Sequence, residues 1–447
     1  MCSFFIKIVN YFIFMWYNIY MNLPNSIKTA VSLANPSFIK NYDNFNSASD
    51  SVLYSGPYWD SREIEAALTA FLTGKWLTSG EYVEKFQTEF AKMFNVKHSH
   101  MVNSGSSANL VMITALKKHF KWQDGDELIV SPVGFPTTIS PIVQNNLKPV
   151  FIDIEFDTLN FDINLIESAI TDKTRGIVVS PVLGNPPDMD KLKEICIKHN
   201  ILLIGDSCDS LGTKYNGKHL TDYYVAWTCS FFPAHHISTG EGGMISTNDT
   251  SLNELVRSIS WWGRDCRCSG VNNLLPCGTC GNRFDRWLDD YDGIIDHKYV
   301  FANIGYNLKP LDFQGAIGSI QLTKMAEIDA RRRNFKNEIE QSLLAHNPTL
   351  KAVSIVPKAD PSWFGVPVIC SSQDEKELLV AHFEANRIQT RSYFAGNILL
   401  HPGFQHLGNY KDYPNSNLAL SHVFFLGCTP LYNDSVLNYI KDVIKQW

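Results

Sequence analysis

Short apolar runs alternate with amphipathic stretches through the middle of the chain. The runs at 127–133, 149–154, 176–182, 201–206 and 226–231 predict strands, and the stretches between them carry apolar residues at helical spacing. Runs this short and this apolar are typical of parallel strands that are buried on both faces. The pattern therefore predicts an α/β fold with a mainly parallel sheet and helices on both of its faces.

The same pattern divides the chain into three parts. Residues 1–53 are predicted to form an N-terminal extension, 54–330 a large domain, and 331–447 a small α+β domain. Helical periodicity from 311 to 344 would bridge the two domains. Residues 263–296 are rich in Cys, Gly, Asn and Asp and interrupt the alternation. A long irregular loop inside a compact domain usually carries function.

Composition favours small-molecule chemistry. The chain has 39 Lys and Arg against 45 Asp and Glu, a net charge of -6, and no long basic block. Nucleic acid and membrane surfaces are therefore disfavoured as partners. Ten cysteines in 447 residues are too few for a disulfide scaffold, so we expect a reducing, cytoplasmic setting.

The first 23 residues are apolar, with Lys7 as the only charge. A signal peptide or a membrane anchor would explain this composition, but Asn10, Asn18 and Asn22 interrupt it and no clear small-residue cleavage site follows. The preferred interpretation is an upstream start codon, with Met21 as the true start.

A serine-rich string precedes an apolar helical stretch. Ser104-Gly-Ser-Ser-Ala-Asn109 offers hydroxyls and backbone N–H groups at a predicted helix N-terminus, where a phosphate is favoured. A capped helix without a ligand is the commoner meaning of such a string. Asp206 and Ser230 add weight to the ligand interpretation because both end predicted strands, and ligands of parallel sheets bind at that edge.

Asp206 follows the apolar run 201–205, where a buried carboxylate needs a cationic or hydrogen-bonding partner. A protonated pyridine nitrogen would serve, and an acidic helix cap is about as common a role. Together with the serine string and the aromatic ring of Phe135, Asp206 and Ser230 describe a pocket for a pyridoxal-type cofactor.

Several ordered strings make the chain resemble a known family from about Tyr54 to Trp447. They are Trp76-Leu-Thr-Ser-Gly80, Ser104-Gly-Ser-Ser-Ala-Asn109, Gly134-Phe-Pro-Thr-Thr138, Pro233-Ala-His-His-Ile237, Gly263-Arg-Asp-Cys266, Asp296-His-Lys-Tyr299, Gly305-Tyr-Asn-Leu308 and Phe394-Ala-Gly-Asn397. The chain resembles the DegT/StrS-type sugar aminotransferases and dehydratases. Within them it is similar to the CDP-4-keto-6-deoxyglucose 3-dehydratases of dideoxysugar biosynthesis. The resemblance implies an aspartate-aminotransferase-like fold, the fold type I of pyridoxal-phosphate (PLP) dependent transferases.

The resemblance also implies six cofactor-binding residues: Gly105, Ser106, Phe135, Asp206, Ser230 and Asn307. Ser106 and Ser230 would hold the phosphate, Phe135 would stack on the ring, and Asp206 would pair with the ring nitrogen. Asn307 would reach the phosphate of a neighbouring subunit, which implies a homodimer.

His235 stands where the aminotransferases carry the lysine of the internal Schiff base. An isolated His-His pair is more often structural, but the surrounding strings favour a catalytic role. Imidazole cannot form that linkage, so the expected cofactor is pyridoxamine 5'-phosphate. His235, titrating near neutral pH, would remove a proton from the cofactor's C4' methylene, so that the C-3 hydroxyl leaves the sugar.

Four cysteines crowd the loop: Cys266, Cys268, Cys277 and Cys280. Their spacing alone fits a structural zinc site. The dehydratases resembled here instead carry a [2Fe-2S] cluster, which implies Cys208, Cys266 and Cys268 as ligands. Cys280 is the expected fourth ligand and Cys277 the alternative, because the insert is longer than the family pattern.

The chain is thus predicted to be a pyridoxamine-phosphate and [2Fe-2S] dependent 3-dehydratase. It would remove the C-3 hydroxyl of a nucleotide-linked 4-keto-6-deoxyhexose, with CDP as the expected nucleotide. Since no flavin or nicotinamide fingerprint is present, a separate flavin/iron-sulfur reductase is implied as the electron donor. Three alternatives stay open: a cluster-free GDP-4-keto-6-deoxymannose-type dehydratase, a sugar aminotransferase, and a regulatory protein with a degenerate pocket. Arg391 could pair with a nucleotide phosphate, although a surface ion pair is equally common.

Overall fold

A seven-stranded sheet forms the centre of the computed structural model, which describes residues 23–33, 42–266, 283–285 and 288–447. Its strands are β1 (His98–Val102), β2 (Glu127–Val130), β3 (Lys148–Phe151), β6 (Thr174–Val179), β7 (Leu202–Asp206), β10 (Ala226–Ser230) and β11 (Gly243–Thr247). Their order is β1-β11-β10-β7-β6-β2-β3. Only β11 runs antiparallel to its neighbours, so the predicted mainly parallel sheet is confirmed.

Three predicted strands extend well past the observed ones: β2 ends at Val130, β3 at Phe151 and β6 at Val179, whereas the predicted runs reached 133, 154 and 182. The run 149–154 is split between β3 and the short hairpin of β4 (Ile154–Glu155) and β5 (Asn160–Phe161). Between them, the buried carboxylate of Asp153 accepts bonds from the backbone N–H of Asn415 and Ser416 at 3.0 and 2.9 Å. Because its carboxylate binds the start of the helix at 414–422, Asp153 lies outside the hydrogen-bonded strand β3.

Helices cover both faces of the sheet. The described helices are α1 (23–33), α2 (Ser61–Thr73), α3 (Glu81–Met93), α4 (Gly105–His119), α5 (Pro136–Gln144), α6 (Ile163–Ala169), α7 (Met189–His199), α8 (Thr250–Ser260), α9 (Asp312–His346), α10 (Gln373–Ala385), α11 (Pro414–His422) and α12 (Asp434–Lys445). Alternate strand residues face opposite layers: Ile129 packs with the layer of α3, α7 and α9, and Leu128 packs with that of α4, α5 and α8.

Polar caps explain where many helices begin. In each case a side chain accepts a hydrogen bond from a backbone N–H of the first turn, which satisfies a donor that the helix itself leaves unpaired. The capping residues include Asp60, Ser104, Asp188, Asp249, Ser372 and Asn433.

The long helix α9 joins two hydrophobic cores. Its Leu322 and Ile328 pack in a core beside the central sheet, and its Phe335 and Leu343 pack in a second core with Val366. We keep the names large domain and small domain for the predicted ranges 54–330 and 331–447. The predicted boundary at 330/331 therefore falls inside a continuous helix. The small domain adds an antiparallel sheet of order β13-β15-β14, formed by β13 (Gly365–Ile369), β14 (Thr390–Ser392) and β15 (Val423–Gly427).

Three short strands lie apart from both of these sheets. They are β8 (Lys214–Tyr215), β9 (Lys218–His219) and β12 (Ala359–Asp360), and β12, which precedes β13, pairs with β8. Within the described residues, no helix is both long enough and apolar enough to cross a membrane.

His100 on β1 makes stability depend on pH. Its buried ring bonds to Ser260 Oγ at 2.8 Å, and burial lowers the pKa of His100 to about 3. Because this pKa lies below its unfolded value, protons bind the unfolded chain first as the pH falls below about 6.5, and stability is lost.

We expect the wild type to lose about 2 kcal/mol more stability than His100→Gln between pH 8 and pH 5. Urea unfolding at each pH measures this difference. His406→Gln, at an exposed histidine, serves as the control and should follow the wild type. Parallel pH profiles for His100→Gln and the wild type would contradict the assignment.

Candidate active site

A cavity of about 330 Å³ lies at the carboxyl ends of β7 and β10. Six of the seven residues predicted for catalysis or cofactor binding line it: Gly105, Ser106, Phe135, Asp206, Ser230 and His235. Cys208 lines it as well. Parallel strands thus bring together side chains that are far apart in the sequence.

The N-terminus of α4 lies against the end of β10. Ser104 caps α4 by accepting a bond from Ser107 N at 3.1 Å. A Cβ on Gly105 would lie 2.5 Å from Ser230 Cβ, and one on Gly243 would lie 2.3 Å from Ser104 O. The glycines permit this close approach, which places a helix N-terminus and two serine side chains, Ser106 and Ser230, at one end of the cavity. Such an arrangement suits an anionic group.

Asp206 is buried and is held by neutral donors. Its Oδ2 accepts bonds from Asn109 Nδ2 at 2.8 Å and from Thr138 Oγ1 at 2.7 Å. Thr228 donates in turn to Asn109 Oδ1 at 2.5 Å. None of the ion pairs among the described residues includes Asp206. A cation entering the cavity would therefore find a carboxylate that is oriented but not neutralised.

His235 lies on the turn after β10 with 15% of its side chain exposed. Its Nδ1 is 3.6 Å from Asp209 Oδ1, and its ring centroid is 5.2 Å from that of Phe364. Burial, assisted by the positive charge of Arg332, lowers the pKa of His235 to about 3. The prediction that His235 titrates near neutral pH is wrong for this chain, because the ring is removed from water. The neutral imidazole is a proton acceptor.

The sequence did not single out Asp209, although it also lines the cavity. Burial and the neighbouring charge of Asp206 raise the pKa of Asp209 to about 7. The available signal was a second acidic residue three positions after Asp206. Phe394 lines the cavity too, and its segment was one of the strings that carried the family resemblance. Tyr54 and Glu241, which also line the cavity, had no comparable signal, because separate segments bring them in.

His236 faces away from this chemistry. Its ring is buried and Nε2 bonds to the backbone carbonyl of Ser362 at 3.1 Å. The second histidine of the pair therefore joins the turn to the segment that precedes β13.

Two predicted residues lie away from the cavity in the single chain. Asn307 pairs through its backbone with Trp261 and accepts a bond from Lys309 Nζ. Cys266 lines a separate cavity with Arg264 and Asn303. Neither Asn307 nor Cys266 lines the cavity of His235 within the described part of the chain.

The cysteine prediction can be compared with the structure only in part. Burial, followed by the charge of Asp206, raises the pKa of the Cys208 thiol well above its usual value. Cys268, Cys277 and Cys280 lie outside the described residues. Among the residues that are described, no three His, Cys, Asp or Glu side chains are placed to hold a metal ion.

Comparison with known proteins gives consistent matches over most of the chain. The model of the DegT/DnrJ/EryC1/StrS aminotransferase family matches residues 59–445. The dTDP-4-dehydro-2,6-dideoxy-D-glucose 3-dehydratase of Saccharopolyspora spinosa is 37% identical, over 90% of this chain and 88% of the relative. The lipopolysaccharide biosynthesis protein RfbH of Salmonella typhimurium is 36% identical, over 88% of this chain and 91% of the relative.

A solved structure shares the fold. The E. coli GDP-4-keto-6-deoxy-D-mannose-3-dehydratase with bound hydrated PLP superposes with a TM-score of 0.77 at 30% identity, covering 89% of this chain and 100% of that chain. With the mainly parallel sheet, this match confirms the predicted aspartate-aminotransferase-like fold.

The bonds around Asp206 give a test of the site without any ligand. Asn109→Asp keeps the side-chain shape but places a second carboxyl 2.8 Å from Asp206 Oδ2. We expect it to destabilise the protein by about 1–3 kcal/mol, because a donor is lost and two acids must share one buried site.

Urea unfolding at pH 7 measures the change. Asn334→Asp, the same replacement at an exposed position of α9, should stay within about 0.5 kcal/mol of the wild type. Equal effects of the two replacements would show that Asn109 does not support Asp206.

Proposed function

The chain belongs to the DegT/DnrJ/EryC1/StrS aminotransferase family, and from this premise we propose that it is a pyridoxamine-phosphate dependent 3-dehydratase of a nucleotide-linked 4-keto-6-deoxyhexose. The observation that carries the proposal is His235. It occupies the turn after β10, and no lysine is among the described residues that line the cavity. A sugar aminotransferase would need a lysine amine there, whereas a dehydratase needs a base that stays unlinked.

The residues around the cavity fit the cofactor. The N-terminus of α4, with Ser106 and Ser230, would hold the phosphate, and Phe135 would cover one face of the ring. Asp206 would balance the protonated ring nitrogen, since its oxygens are oriented but carry no ion pair within the described chain. The bound cofactor would supply an amine that condenses with the sugar ketone, and a conjugated system through which the electron pair left by proton removal would expel the C-3 hydroxyl.

His235 would take a proton from the C4' methylene of the bound cofactor, and the electron pair of that C–H bond would drive the loss of the hydroxyl. Because burial keeps the ring neutral, a nitrogen lone pair is available over the whole physiological pH range. Asp209 lies 3.6 Å from Nδ1 and would favour the tautomer that places the proton on that nitrogen, which leaves Nε2 as the acceptor.

Arg391 is suited to the nucleotide diphosphate. Its guanidinium stacks 4.1 Å from the ring centroid of Tyr54, a residue that lines the cavity. Within the described residues it forms no ion pair, which argues against a role in a surface salt bridge. An exposed, oriented guanidinium at a cavity wall suits a phosphate.

The relatives differ in the nucleotide named for them. The sequence strings indicate CDP, while the relatives and the solved structure are named for dTDP and GDP sugars. We therefore offer CDP as the first candidate and dTDP and GDP as the alternatives to be measured.

The test of function is product formation from CDP-, dTDP- and GDP-linked 4-keto-6-deoxysugars by the cofactor-loaded protein. We expect dehydration of one of them, and a loss of about 100-fold or more in His235→Asn, because a general base contributes this much. His199→Asn, at a histidine paired with Glu167 on the surface, should retain activity. Amino transfer by the wild type, or full activity of His235→Asn, would refute the proposal.

We further propose a [2Fe-2S] cluster held by Cys208, Cys266, Cys268 and Cys280, with Cys277 as the alternative fourth ligand. Metal coordination would offset the raised pKa of Cys208, since ligand thiols lose their protons on binding. The cluster would pass single electrons from a separate flavin/iron-sulfur reductase to the dehydrated sugar.

Iron analysis of anaerobically purified protein tests the cluster. We expect about two irons per chain, and loss of iron in Cys208→Ser but not in Cys370→Ser, which changes a buried cysteine of the small domain. Bound zinc without visible absorption would favour a structural site. A metal-free, active wild type would favour the cluster-free dehydratase.

A homodimer would complete the site. Apolar side chains are exposed around Asn307, with Ile304 98% and Phe301 53% accessible. A second copy of the chain covering this surface would bury them, and it would bring Asn307 to the partner's phosphate site. Within the described residues, Asn307 does not line the His235 cavity of its own chain, which supports a role in the partner's site.

A further inference from the structure

A fully buried arginine joins the turn that carries His235 to the segment that carries Phe364. Arg332 lies on α9 with 0% of its surface exposed. Two nearby cations of the same helix have acidic partners: Arg333 pairs with Asp329 at 2.6 Å, and Lys336 pairs with Glu340 at 2.7 Å. Arg332 itself is in none of the ion pairs found in the described parts of the chain.

The guanidinium of Arg332 binds backbone carbonyls instead. One terminal nitrogen donates to Trp363 O at 3.3 Å and to Phe364 O at 3.0 Å. The other donates to Ala234 O at 3.2 Å and to His235 O at 3.1 Å. The planar, rigid fork of arginine can hold two chain segments at a fixed separation, whereas the single ammonium of lysine cannot.

These four bonds define the distance between two walls of the cavity. The His235 ring lies on the turn after β10, and the Phe364 ring stands just before β13 of the small domain, 5.2 Å away between centroids. The bond from His236 Nε2 to Ser362 O joins the same two segments. The small domain is thereby fixed against the large domain at the proposed base.

Stability alone does not account for such a residue. An unpaired cation that is removed from water is costly, and a well-packed apolar side chain often fills such a place at no loss of stability. The four hydrogen bonds of Arg332 to carbonyls of two separate segments therefore point to a role in holding those segments together.

We propose that Arg332 is a positioning residue of the proposed dehydratase, which fixes the His235 turn against the Phe364 segment so that the imidazole is held at the reacting group. The proposal rests on the proposed function, because His235 is the base that it positions. Arg332 does not line the cavity and acts only through the backbone.

The experiment compares Arg332→Lys and Arg332→Met with Arg175→Lys, which makes the same replacement at an arginine that pairs with Asp126 at 2.8 Å, away from both segments. We expect kcat of both Arg332 variants to fall by about 10- to 100-fold, because small displacements of a catalytic group cost this much. KM should change less than about threefold, since the proposed phosphate contacts are elsewhere. Arg175→Lys should keep the wild-type kcat.

Hydrogen exchange of the cofactor-free proteins gives a readout that does not depend on activity. Amides of 231–240 and 361–366 should exchange faster in both Arg332 variants, while the centre of the β-sheet should keep the wild-type rates. Equal loss of protection over the whole chain would mean a merely structural role and would overturn the proposal.

Wild-type kcat in either Arg332 variant would also overturn it, and the methionine variant keeps this test available if the lysine variant does not fold. Failure of the proposed function would look different. The wild type itself would then dehydrate no nucleotide sugar, while local exchange at the two segments would still report whether Arg332 joins them.

Discussion

The buried carboxylate of Asp206 is the group on which the site depends. Its hydrogen bonds tie the end of β7 to α4 through Asn109 and to α5 through Thr138, and Thr228 of β10 extends the network. Removing a carboxylate from water is costly unless it accepts hydrogen bonds. The donors on α4 and α5 must therefore keep their positions relative to β7 if Asp206 is to stay buried. The same positions bring the N-terminus of α4 against Ser230 and create the cavity.

Acidic and basic side chains lie on different sides of that cavity. Two acids, Asp206 and Asp209, lie on the sheet side, while the cation of Arg332 is buried behind the His235 turn. Asp206 and Arg332 are buried and the Asp209 side chain is only 13% exposed, so these charges are screened less than charges at the surface. The arrangement leaves the imidazole neutral and the Asp206 carboxylate open to a cation, which suits a base beside a positively charged cofactor ring.

Much of the fold and of the site could be predicted because the signals for it lie close together in the sequence. The parallel strands follow from short apolar runs, the start of α4 follows from Ser104, and the placement of Asp206 and Ser230 at one edge follows from strand direction. The strands β1 and β11 were not predicted, since their ladder joins residues that are far apart in the sequence. Tyr54 and Glu241 were missed for the same reason, because separate segments bring them to the cavity.

The sequence by itself determined the order of the elements, the fold family and the residue types that meet at the cavity. Only the tertiary structure decided the state of those residues. In an unfolded chain a histidine has close to its usual pKa. In the folded chain, burial against Phe364 and the positive charge of Arg332 lower the pKa of His235 and keep its ring neutral. Burial and the approach of distant charges exist only after the chain has packed. The protonation state of His235, and the bonds by which Arg332 joins two segments, therefore could not be predicted from the order of residues.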